Sequence, residues 1–145
     1  MSDAGAWILL VGRVVFALFF VAIAAAGHLK KSKMMEGFAR QVRFPAPQIA
    51  GWPSGIWLVA GGLSIALGAW GDVGSLMIAA FVVLAGAFFH RFWVFEDAEQ
   101  KQAQMQLFWR NVTFLGAALI LFVFYATFGH DLALTLTDPV FDLRP

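Results

Sequence analysis

Four long apolar blocks, running roughly Trp7–Gly27, Gly55–Trp70, Gly74–Val94 and Asn111–Phe128, alternate with polar connections. A helix needs about 20 predominantly apolar residues to cross a hydrocarbon core of about 30 Å. The pattern therefore predicts an all-α membrane protein: four transmembrane helices in an antiparallel bundle, forming one domain over residues 1–145. Gly55–Trp70 is the short block, roughly 24 Å of helix. Trp52, Trp57 and Trp70 lie near its ends, where indoles anchor at the membrane interface. The tight turn Gly71-Asp72-Val73-Gly74 makes spans two and three a hairpin, and Met105, Leu107, Phe108 and Trp109 can extend the fourth block inward.

The first connection carries a pattern of its own. Within Ser32–Arg43, Met34, Met35, Phe38 and Val42 recur at helical spacing, with Lys33, Arg40 and Arg43 among them. This predicts a short interfacial amphipathic helix between the first two spans, of a composition that suits an anionic lipid surface. Phe44-Pro45-Ala46-Pro47 should end it, since proline disfavours helix in the residue before it. The connection before the fourth block holds Glu96, Asp97, Glu99 and Lys101 with Gln100, Gln102, Gln104 and Gln106, which reads as a solvated helix end. Beyond Gly129, Leu132, Leu134 and Leu136 alternate, but over too few positions to predict a strand.

Composition agrees with the pattern: 61% of the 145 residues are hydrophobic and 13% charged, too apolar for an ordinary soluble domain. Charge then adds orientation. Eight of the ten Lys and Arg residues fall around two connections, Lys30, Lys31, Lys33, Arg40 and Arg43 at the first and Arg91, Lys101 and Arg110 at the third. Short loops rich in Lys and Arg stay cytoplasmic, so both termini are expected outside the cytoplasm of a bacterial plasma (inner) membrane. Ala24-Ala25-Ala26-Gly27 resembles a signal cleavage site, but no positive side chain precedes the first block, so it is expected to stay as a membrane helix. No cysteine is present, which removes disulfides, thiolate metal sites and thiol relays. The basic residues border spans and form no separate positive surface, so the expected partners are the lipid bilayer and a protein partner or second copy, with no nucleic acid.

Connectivity gathers the candidate chemistry. His28 closes span one, His90 lies near the end of span three and Asn111 opens span four, all on the basic side with Trp93 and Lys30. These residues can be wet interfacial tips. They can also form a ligand pocket for an apolar ring with polar edges such as a quinone, with His90 or His28 donating to a carbonyl and Trp93, Phe92 and Phe89 as walls. Haem ligation by His28 and His90 is disfavoured because bis-His haem wants ligands inside the spans. A zinc site lacks a third ligand.

Arg13 sits about two turns inside span one, where a charge is costly and marks a functional hypothesis. No Asp or Glu falls within the four blocks, leaving backbone carbonyls, Tyr125 or the Asp72 turn as partners if Arg13 does not snorkel.

An Arg early in span one, a Gly ending it, and a Lys-bearing loop closing on Phe-Pro-x-Pro resemble the DoxX family. So do the Gly-Gly-Leu-x-x-x-Leu-Gly second span, His90-x-Phe92-Trp93 after the third and Asn111 opening the fourth, over about Gly12 to Phe124. The resemblance implies a four-helix integral membrane fold. Some relatives are linked to quinone-dependent oxidation of sulfur compounds, others to detoxification or oxidative-stress complexes. Relatives often carry an acid at the start of span two, where this chain has Gly55-Ile56-Trp57, so any role of that acid does not transfer. The expectation is a small membrane subunit of a redox-linked complex, with His90, His28, Trp93 and Asn111 at a ligand-binding end and Arg13 at the other. It has no self-sufficient catalytic motif. The alternative is a non-catalytic interaction or assembly protein, or a small transporter.

Overall fold

The computed structural model describes residues 2–145, and all regular structure among them is helical. Helix α1 (Asp3–Ile23) widens into a π turn at Ala24–Leu29. The short α2 (Ser32–Gln41) follows, then α3 (Trp52–Leu67) and α4 (Gly71–Leu84), which widens into a second π turn at Ala85–Phe89, and finally α5 (Ala98–Phe128). Three helical stretches, Asp3–Leu29, Gly71–Val94 and Ala98–Asp131, are long and apolar enough to cross a membrane, while Trp52–Leu67 is apolar but shorter. Trp7, Ile8, Val15, Leu18 and Ile120 face outward on the long helices, and the buried cluster is small, built around Phe20, Leu58, Ile65, Ile78 and Val82. Such a surface suits lipid, and the chain is an integral membrane protein.

Local chemistry sets the helix ends. Ser2 caps α1 by accepting from Gly5 N–H, and Asp97 caps α5 by accepting from Gln100 N–H at 2.8 Å. Pro53 stands in the first turn of α3, where its missing N–H costs nothing. Gly68, at φ +63°, closes α3 in the left-handed region that glycine enters without penalty. The amphipathic helix forms where the spacing predicts it.

Helix α3 packs on both α1 and α4, and α4 packs on α5. Two consecutive glycines make this double contact. A Cβ on Gly61 would lie 3.3 Å from Gly74 O on α4, and one on Gly62 would lie 2.9 Å from Val21 Cγ2 on α1. Residues one apart sit about 100° around a helix, which is why the Gly61-Gly62 pair serves two neighbours.

Two boundaries move. Helix α4 starts at Gly71 rather than Gly74, so Asp72 lies in its first turn, fully buried, and an acid does occur within a long apolar helix. Helix α5 starts at Ala98, well before Asn111.

Candidate functional site

A cavity of about 250 Å³ lies where α1, α4 and α5 end toward the basic connections. That is just under the usual range of about 300–1,000 Å³ for small-molecule sites, so it accommodates a single ring. Its walls are aromatic, chiefly Phe19, Phe20, Phe81 and Phe89. Its polar groups are few: His28, His90, Asn111, Ser54 and Arg110.

Both histidines reach the cavity through departures from α geometry. His28 stands in the π turn that ends α1, and His90 directly follows the one that ends α4. A π turn inserts a residue and re-aims the side chains beyond it, and such turns recur at functional sites.

Each imidazole is pinned by its Nδ1. His28 Nδ1 lies 2.9 Å from Ala50 O and 2.7 Å from Ser54 Oγ. Ser54 Oγ itself stands 2.8 Å from Ala50 O and 2.9 Å from Gly51 O, so either carbonyl can take its one hydrogen. A carbonyl oxygen only accepts, and therefore His28 Nδ1 carries a proton and donates. His90 Nδ1 pairs with Gln104 Oε1 at 3.0 Å. Among the described residues neither Nε2 has a hydrogen-bond partner. Asn111 Nδ2 donates to Leu107 O at 2.9 Å, one turn back in its own helix.

Helix α2 and the segment after it close the cavity. Met35, Phe38 and Phe44 line it, with Phe38 and Phe44 rings 5.7 and 5.4 Å from that of Phe89. Arg91 ties the end of α2 to the end of the Gly71–Val94 stretch by donating to Val42 O at 3.1 Å. Ser32 Oγ accepts from Trp52 N–H at 3.2 Å, holding the other end of α2 to α3. Helix α2 thus carries more than an interfacial face: it is part of the wall.

Of the residues gathered by connectivity, His28, His90 and Asn111 share this cavity. Trp93 does not. The helix carrying His90 breaks at His90–Arg91 before a short 3₁₀ turn, so Trp93 loses the register of the His90 face and is mostly exposed beside Phe92 and Phe108. Three residues emerge only in the structure. Arg110, with its guanidinium 5.6 Å over the Phe19 ring, lines the cavity. Gln104 orients His90, and the Gln-rich run gave only its position. Ser54, near the Pro53 helix start, meets His28 through a fold between residues 28 and 54 that no local pattern announces.

Arg13 occupies the opposite end and does not snorkel, being 1% exposed. It donates to Leu134 O at 2.7 Å and to Tyr125 Oη at 3.3 Å, and Tyr125 donates on to Ile65 O at 2.7 Å. The residues after α5 fold back over this end as a strap rather than hanging free. Leu136 N–H and Thr137 N–H reach Gly68 O, and Asp72 Oδ2 accepts from Val140 N–H and Phe141 N–H at 2.7 Å each. Arg13 thus bonds to α5 and to the strap, and it does not line the cavity.

Among the described residues, no group of three or more His, Cys, Asp or Glu is placed to hold a metal ion. A family model, DoxX, matches residues 8–91, more than half of the chain, from α1 through His90. No curated protein and no solved structure matches closely enough to count as similar.

Proposed function

This chain belongs to the DoxX family, and we propose that it serves as a small membrane subunit of a redox-linked complex, holding a quinone-like ring between His28 and His90. The observation that carries this reading is an apolar cavity lined together by His28, His90, Asn111 and Arg110. Few polar groups in an otherwise aromatic wall suit a flat apolar ring with oxygen at its edge. A bound quinone would supply the electron acceptance that these side chains lack.

The chain's own residues divide the work. Phe19, Phe81 and Phe89 exclude water and set the ring plane, while the two imidazoles mark where its oxygens sit. Arg110 places a positive charge at the rim, and α2 with Phe44 shuts the side away from α5. With no thiol, electrons reach this site through a protein partner. In the membrane the four apolar helices form an antiparallel bundle of four spans. The basic connections face the cytoplasm of a bacterial inner membrane, and both termini lie outside it.

Purification in detergent followed by lipid-extract analysis tests the site. Stoichiometric quinone that is lost in a His90→Ala variant supports it. Absence of quinone, with complex assembly and turnover kept in the variant, overturns it, and a Soret band would replace the ring with haem. Single cysteines at Lys33 and Ala133, both exposed, test orientation by labelling of intact cells. Modification of the Ala133→Cys variant only after lysis reverses the topology.

A further inference from the structure

We infer that the His28 pole of the cavity accepts a hydrogen bond rather than giving one, so that the site selects ligands presenting a hydroxyl there: the hydroquinone form of a ring over its quinone. This rests on the ring-binding reading above and makes the opposite assignment to the one the sequence suggests, in which His28 donates to a carbonyl.

The argument starts from what lies behind the ring. Ala50 O at 2.9 Å is an obligate acceptor, and the Ser54 hydroxyl has the carbonyls of Ala50 and Gly51 in reach to take its one hydrogen. The proton of a neutral His28 must then sit on Nδ1, shared between Ala50 O and Ser54 Oγ. Its Nε2, without a hydrogen-bond partner among the described residues, then carries a bare lone pair. His28 is buried, and its ring lies edge-on to Phe81 at 5.5 Å, so the ring's orientation is held by packing as well as by hydrogen bonds.

The two imidazoles differ in this respect. Gln104 presents an amide to His90, and an amide can accept or donate by turning over, so His90 can face the cavity as either partner. The carbonyl behind His28 has no such freedom. A quinone carbonyl at that pole would set lone pair against lone pair, whereas a hydroxyl there completes a hydrogen bond. The other oxygen of the ring meets a group that adapts to either oxidation state. Discrimination therefore comes from one residue. Arg110, as an added donor at the rim, favours any ring oxygen and does not reverse the ordering.

The test is calorimetric titration of the full chain in detergent, under anaerobic conditions, with duroquinone, its hydroquinone and the dimethyl ether of that hydroquinone. The hydroquinone is expected to bind at least about tenfold tighter than both ring analogues lacking a donor, the ratio for one unmet buried hydrogen bond. His28→Gln, whose amide can donate as well as accept, should level quinone and hydroquinone, with a thermal melt to check its fold. If that variant does not fold, the dimethyl ether comparison on the unaltered chain carries the test. Equal or tighter binding of quinone or ether overturns the inference while leaving the cavity a ring site. Binding of none of the three overturns the ring site itself, and the inference with it.

Discussion

Gly71→Ala should cost this protein several kilocalories, although alanine favours helices and Gly71 begins one. A Cβ there would stand 2.5 and 2.6 Å from Cε1 and Cε2 of the Tyr125 ring, and closer still to Cζ. The ring is buried, so displacing it brings an overpacking penalty of about 1–3 kcal/mol. Moving the ring also pulls its hydroxyl off Ile65 O and away from Arg13, adding about 1–3 kcal/mol for buried groups left short of partners. The ordinary gain of Gly→Ala, about 0.4–1 kcal/mol, offsets little of this. The net expectation is a loss of about 2–5 kcal/mol in reversible unfolding measured in mixed micelles. Tyr125→Phe removes the hydroxyl while keeping the ring and should cost about 1–3 kcal/mol by the same loss of partners. The two effects share the hydroxyl, so the double variant should fall short of their sum by at least about 1 kcal/mol. Additivity within about 0.5 kcal/mol would refute the idea that the bare backbone at Gly71 is what seats the Tyr125 hydroxyl.

Two further outcomes follow from the packing. Gly116, in the interior of α5, has nothing within 4 Å of where a Cβ would be, so Gly116→Ala should leave the melting temperature unchanged or raise it, by up to about 1 kcal/mol of stability; a marked loss would reveal a contact made by another copy or partner there. Asp72→Ala removes the acceptor of two 2.7 Å hydrogen bonds, so amide exchange at Val140 and Phe141 should quicken by about tenfold or more. Unchanged protection at both would mean that something other than this carboxylate holds the strap.

The apolar blocks made the helices legible, and Arg13, Ala17 and Phe20 are buried on α1. His28, His90 and Asn111 could be brought together by counting ends. What sequence spacing could not carry was position beyond a break in register. Trp93 follows His90 by three residues, yet one interrupted turn sends it outward. Asp72 looked like a loop acid because the hairpin turn lies at residues 68–70, upstream of the Gly71–Gly74 stretch, and its carboxylate is used by residues 68 and 69 positions further on. The role of α2 was hidden for a similar reason: its apolar face meets Phe89 as readily as lipid, and amphipathicity alone names no occupant. The same long-range folding brings Ser54 and Ala50 behind His28.

The bond from Arg13 to Leu134 O spans 121 positions, which has a meaning for biogenesis. At about 5–20 residues per second of synthesis, the first helix waits roughly 6–24 s before its carbonyl acceptor has been made. During that interval the guanidinium must be tolerated by water, lipid headgroups or the insertion machinery. A chain halted before Leu134 keeps this charge unsheltered in its first helix, a mark by which quality control can tell an unfinished product from a mature one.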